Sequence, residues 1–249
     1  MQWSQYLLFF VLVGLASVAQ NLTGFAFSLI LVGLAGATGL MPIAEASNVA
    51  MLLSLVNGVT YLRHHPFTPD WRLLKPMLGL SIVGVGLGWA LLSWLDGNTL
   101  NGLRMALGVV IVACAVLLML QKRQQRERQA SPPQALWLAS LSSGLLGGLF
   151  STAGPPIVYH LYRQPLAAEL IRQCLVVQFL LTSLVRTGLV VGTGSLRMSA
   201  IVTTAVAVPL VWGVTRWQAK HPLRLPQGVV DALVCGLLLL AGLSLFVPR

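Results

Sequence analysis

The sequence predicts an all-α polytopic membrane protein, built as an inverted repeat of two halves. Three observations predict it. Of the 249 residues, 56% are apolar and only 9% charged, whereas a soluble domain carries about 25% charged residues to face water. Apolar runs at 77–95, 103–120, 173–191 and 229–247 approach or reach the roughly 20 residues that cross a bilayer as helix. Landmarks of the first half also recur in the second. Gly14 and Gly24 return as Gly144 and Gly154, 130 residues on, and Glu45 returns as Glu169, 124 residues on. Mean hydropathy is +0.82. Period-2 alternation is absent, which argues against a β-barrel.

The first half occupies residues 1–120. It opens with a two-armed apolar element at 6–40, interrupted at Gln20-Asn21-Leu22-Thr23-Gly24-Phe25. Ser17-Val18-Ala19 resembles a signal-peptidase site, but no Lys or Arg precedes it. The stretch therefore reads as part of the mature fold. Long helices follow at about 43–62, 72–95 and 101–120. A basic linker, 121–134, holds Lys122, Arg123, Arg126 and Arg128 before Ser131-Pro132-Pro133. The second half, 135–249, repeats the order: a two-armed element at 135–164, then helices at about 168–191, 197–217 and 226–247. Arms of roughly 10–16 residues span about 15–24 Å, short of a hydrocarbon core of ~30 Å. Each element is thus either one broken crossing or a hairpin that returns to its starting side.

Charge separates these alternatives. If the elements return, 12 of the 16 basic residues lie in inside loops and 3 outside, with Arg186 in the membrane. If they cross once, the division is 9 against 6. The positive-inside rule favours the first. Both termini are then periplasmic and the halves have opposite orientation, a transporter architecture in which interrupted helices meet near the midplane. The net charge of +10 follows from these loop patches and does not indicate nucleic acid. Cys114, Cys174 and Cys235 lie far apart within apolar runs, as small core residues do.

The second break reads Gly147-Gly148-Leu149-Phe150-Ser151-Thr152-Ala153-Gly154-Pro155-Pro156. Proline is tolerated in the first turn of a helix but cannot continue one. A helix should therefore begin near Pro155 and direct its positive dipole end at the break. Backbone freed inside lipid needs a partner or a water-filled cavity, and an anion suits a helix N-terminus. A tight turn satisfied within the protein is the plain alternative. The amide and hydroxyl groups of Gln20, Asn21 and Thr23 beside Gly24 mark the first break, and Ser151 and Thr152 the second. Arg186 is the only basic residue well inside an apolar helix. It is either a binding-site cation or a side chain that snorkels to the interface. Arg172 stands one turn after Glu169, where an i,i+3 ion pair competes with a substrate role. Glu45 and Asp231 are isolated carboxylates at helix ends, and proton coupling by either is an option. Asn48, Asn57, Gln178, Thr182 and Ser183 suggest interhelical hydrogen bonds, and Gly79, Gly84, Gly86 and Gly88 close packing. GxSxG, HExxH, P-loop and CxxC motifs are all missing. The sequence points to no enzyme, metal or cofactor. His64-His65 sits in a basic loop, and His160 on the short arm after the prolines.

Several segments together resemble the TauE/SafE family of sulfite and organosulfonate exporters. They are GFAFSLI at 24–30, WRLLKP at 71–76, GLLGGLFSTAGPPIVYHLYRQPLAAELIR at 144–172 and LVR at 184–186. The resemblance runs over nearly the whole chain. It implies a bacterial inner-membrane permease for small anions such as sulfite or sulfoacetate. By position it assigns Gly154, Pro155, Pro156 and Arg172 to the site, with Arg186 at a position that is often basic. Ala153 replaces a glycine usual before the GPP, and 25–40 lacks a usual proline, so the substrate can differ. The expected function is secondary transport of a small organic or sulfur-containing anion, with the lipid bilayer as solvent. A passive channel and a non-transporting scaffold subunit are the alternatives. A homodimer and proton coupling are left open.

Overall fold

A computed structural model describes residues 3–64, 70–96, 100–124, 132–152, 154–221 and 227–245. All regular structure among them is α-helical. The helices are α1 (Trp3–Thr23), α2 (Phe27–Thr38), α3 (Ile43–His64), α4 (Trp71–Asp96), α5 (Leu100–Gln124), α6 (Pro133–Phe150), α7 (Pro155–Arg163), α8 (Ala168–Gly192), α9 (Met198–Lys220) and α10 (Gln227–Ser244). Five are long and apolar enough to cross a membrane, within α1, α3, α4, α8 and α9. Shorter apolar helices include Phe27–Thr38, Met105–Leu117, Gln134–Phe150 and Ala232–Leu243.

Breaks fall where glycine and proline place them. Gly24 ends α1 with φ of 87°, a left-handed conformation that glycine adopts freely. Pro155 and Pro156 open α7. The first arms are longer than the sequence suggested. α1 has 21 residues and α6 has 18, because α1 begins at Trp3 and runs on through Gln20–Thr23, and α6 begins at Pro133 and runs on through Gly147–Phe150. The second arms are short, with 12 residues in α2 and 9 in α7. α2 is buried along nearly its whole length, from Phe27 through Gly33 and again at Ala35–Ala37. Exposed apolar side chains lie on the surrounding helices, including Leu7, Val83, Met119, Trp212 and Leu240. This is the distribution expected where lipid bathes the surface.

The tightest seam joins α4 and α6. A Cβ at Gly84 or Gly88 would collide with the carbonyl oxygens of Leu141 or Leu145, and one at Gly144 or Gly148 with those of Ser81 or Val85. Contacts advance in the same direction along both helices, so α4 and α6 run parallel. α3 and α8 run antiparallel: Tyr61 meets Glu169, Ser54 meets Ser183 and Ser47 meets Arg186. Ser81 bonds both Ser140 and Gln178, and Gly148 bonds Arg186, eight residues further along each. α6 and α8 are therefore parallel. α7 starts beside this last contact and ends next to the start of α8, so it runs back against α6.

The packing partners also come in exchanging sets. α4 packs on α6 as α9 packs on α1, α3 on α9 as α8 on α4, and α2 on α10 as α7 on α5. α3 meets α8, and α5 meets α10.

Candidate functional site

Arg186 is 1% exposed, and it is the largest fully buried side chain among the described residues. Leu184 and Val191 on the same helix face outward, so the helical period turns Arg186 inward. It does not snorkel. Its Nε donates to Gly148 O at 2.9 Å, and its Nη1 to Ser47 O at 3.2 Å and to Ser151 Oγ. Ser151 adopts φ of 58° as the left-handed residue closing α6. Its hydroxyl donates to Ser47 O at 2.9 Å. The end of α6 and the start of α3 thus clamp one edge of the guanidinium. Nη2 remains without a partner.

Arg186 also lines a cavity of about 680 Å³. Glu45 and Asn48 of α3, Trp89 and Ser93 of α4, and Ser195 and Arg197 beyond α8 line it too. The charged groups in this lining are Glu45, Arg186 and Arg197. Neither Glu45 nor Arg197 makes a side-chain hydrogen bond or ion pair with any described residue.

The first break is built differently. Asn21 Nδ2 donates to Gln218 Oε1 at 3.2 Å and to Thr215 Oγ1 at 3.3 Å. Thr215 in turn donates to Asn57. Thr23 folds back on Ala19 O at 2.7 Å. These groups tie α1, α9 and α3 together, although Gln20 Oε1 and Asn21 Oδ1 stay unpaired. A Cβ on Gly24 would stand 3.2 Å from Arg172 Cγ, so this break lies against the start of α8. Arg172 pairs with Glu169 at 3.5 Å, with its side chain 28% exposed and that of Glu169 53%. Tyr61 and Gln173 also donate to Glu169, at 3.5 and 3.4 Å.

The expected site residues therefore form two groups. Ser151 joins Arg186, whereas Gly24 lies against Arg172 at the end of the helix that carries Gln20, Asn21 and Thr23. Gly154 and Pro155 lie buried between them. A Cβ at Gly154 would stand 3.2 Å from the Phe25 ring and 3.4 Å from that of Phe179. The two breaks are thus close neighbours, but aromatic carbon faces the start of α7 at Gly154. Pro156 is half-buried in the first turn of α7, and Thr152 caps the end of α6 through Leu146 O. Ala153 and His65 lie outside the described residues. His160 bonds Gln164 at 3.0 Å within α7 and its following turn. No group of three metal-ligating side chains occurs among the described residues.

Sequence reading did not collect the cavity lining. Trp89, Ser93, Ser195 and Arg197 carry no motif and meet only when α3, α4, α8 and α9 converge. Glu45 carried a signal, its repetition as Glu169.

A bundle of apolar helices around a buried, incompletely paired arginine and a cavity defines a multi-pass membrane protein of the transporter class. The chain belongs to the sulfite exporter TauE/SafE family, whose model matches residues 9–245. It is 29% identical to a probable sulfite/organosulfonate exporter TauE of Cupriavidus necator, over 95% of this chain and 92% of that protein. No solved structure matches.

Proposed function

We propose that the protein is a secondary transporter that exports a small organic or sulfur-containing anion across a bacterial inner membrane by alternating access. Arg186 is the anion-binding group. The observation that carries this reading is a cavity-lining arginine whose Nη2 has no partner within the protein. A guanidinium inside a bilayer costs between about 3 and 17 kcal/mol. Two helix-end carbonyls and a hydroxyl offset part of that cost but supply no negative charge. An oxyanion would complete the set with charge-assisted hydrogen bonds from Nη2. The membership of the family supports a sulfite- or sulfonate-like ligand.

Alternating access is supported by the unequal state of the two breaks. A cavity reaches Arg186 beside the second, while Asn21, Thr215, Gln218 and Asn57 close around the first. The buried hydrogen-bonded layer does not suit a passive channel, which needs a continuous polar path. In this reading the halves are inverted repeats, the cavity faces the periplasm, and both termini lie on that side.

The test is counterflow in proteoliposomes loaded with sulfite, small sulfonates or small carboxylates. Accelerated exchange of at least one sulfur oxyanion is expected in the wild type, and Arg186→Gln should abolish it. Exchange at wild-type rates in correctly inserted Arg186→Gln would remove Arg186 from the site. No exchange of any of these anions by the wild type would leave the transporter reading unsupported.

A further inference from the structure

We propose that Glu45 sets the charge class of the transported anion, restricting the cavity to monoanions. The inference rests on the reading of the cavity as the substrate site. It starts from an asymmetry between two glutamates in equivalent places. Glu169 is compensated by Arg172 one turn on. At the matching place after Glu45 the sequence has Asn48, which carries no charge. Glu45 therefore lines the cavity with no ion-pair partner within 4 Å among the described residues.

Among the described residues, the surrounding elements add no cation to the cavity beyond Arg186 and Arg197. α2 and α6, which pack against α3, contain no titratable residue. α4 contributes Trp89, Leu92 and Ser93 to the lining, and the start of α9 contributes Ala200. The basic groups Arg216 and Lys220 stand at the far end of α9 from Ala200. On α8, Glu169 and Arg172 lie near its start, and their pair is closed. Among the described residues, the cavity charges are thus two arginines and one glutamate.

This set holds one uncompensated positive charge. A substrate with a single negative charge neutralises it. A dianion would place its second charge in the same cavity as Glu45, with no further cation among the described lining residues to meet it. Like charges in a partly desolvated site repel far more than in water. Glutamine at position 45 keeps the shape and removes the repulsion. Aspartate shortens the side chain and keeps it.

Isethionate and sulfoacetate test this directly. Both carry a sulfonate on a two-carbon chain. One ends in a hydroxyl and the other in a carboxylate, so they differ by one charge at nearly constant size. Labelled isethionate counterflow is measured in proteoliposomes at neutral pH, with either compound as unlabelled competitor. In the wild type, half-inhibition should require at least about ten-fold more sulfoacetate than isethionate. Glu45→Gln should shrink that ratio by about five-fold or more, and Glu45→Asp should preserve it. The ratio is taken within one variant, so poorer insertion or stability cancels. If Glu45→Gln fails to transport, the same ratio is read from ligand-induced shifts in thermal midpoint of the purified protein. An unchanged ratio in Glu45→Gln, or a wild type that prefers sulfoacetate, overturns the assignment while the transporter reading stands. A wild type that exchanges no anion overturns both.

Discussion

Arg186 and Arg172 lie on one helix, 14 residues and about 21 Å apart, yet their surroundings differ in kind. Arg186 has lost its water and gained three acceptors, while Arg172 keeps part of its exposure and a carboxylate partner. Their substitutions should differ accordingly. Arg186→Lys keeps the charge but loses the planar fork that engages two acceptors at once. It should lower the affinity for a sulfonate in counterflow by about ten-fold or more, a loss typical of a charge-assisted hydrogen bond. Arg172→Ala removes a partly exposed pair of the kind worth under about 1 kcal/mol. Its half-saturation for the same anion should stay within about three-fold of wild type. A large loss of affinity in Arg172→Ala, with correct insertion, would return Arg172 to the binding site.

Among the elements, the α4–α6 seam carries the clearest structural constraint. Lipid tails are as apolar as the helices, so association inside a bilayer depends on close van der Waals fit and hydrogen bonds. Gly84 and Gly88 on one helix and Gly144 and Gly148 on the other bring backbone against backbone, and Ser81 adds a bond to Ser140 O at 3.0 Å. Gly144→Ala should therefore destabilise the protein by about 1–3 kcal/mol, the usual cost of overpacking, and lower its melting midpoint in detergent. Gly79→Ala and Gly86→Ala are the controls, because a Cβ at either meets nothing within 4 Å. Equal midpoints for all three variants would show that the seam is slack. The seam also bears on the site: α6 delivers Gly148 O and Ser151 to Arg186, so Gly144→Ala should weaken anion binding as well.

At the scale of the whole molecule, the course of the second two-armed element bears on orientation in the membrane. α7 returns against α6, so the second two-armed element starts and ends on the same side. That geometry carries the proposed division of 12 basic residues inside against 3 outside. A reporter fused after Arg249 should be active in the periplasm. One inserted at Gln129, in the basic linker outside the described residues, should be active in the cytoplasm. A cytoplasmic C-terminus would sink the inverted-repeat topology together with the assignment of the cavity to the periplasmic side.

Composition and periodicity by themselves determined that the chain is an α-helical membrane protein. They also located both breaks. Sparse charge leaves no choice of solvent, and Gly24 and Pro155 act on their own backbone wherever the chain lies. Gly24 and Gly154 were legible as break positions for the same reason, since they mark local events in order. Only the tertiary structure decided which polar residues share a space. Arg186 could have reached for the interface until Gly148, Ser47 and Ser151 were seen to enclose it. Gly154 carried the strongest motif, yet Phe25 and Phe179 cover it. Glu45, Asn48, Ser93 and Arg197 had no local reason to belong together. The physical reason is one of range. Helix breaks and lipid preference are set within a few residues, whereas a cavity is the space left between helices, and its charge balance depends on side chains up to about 150 positions apart.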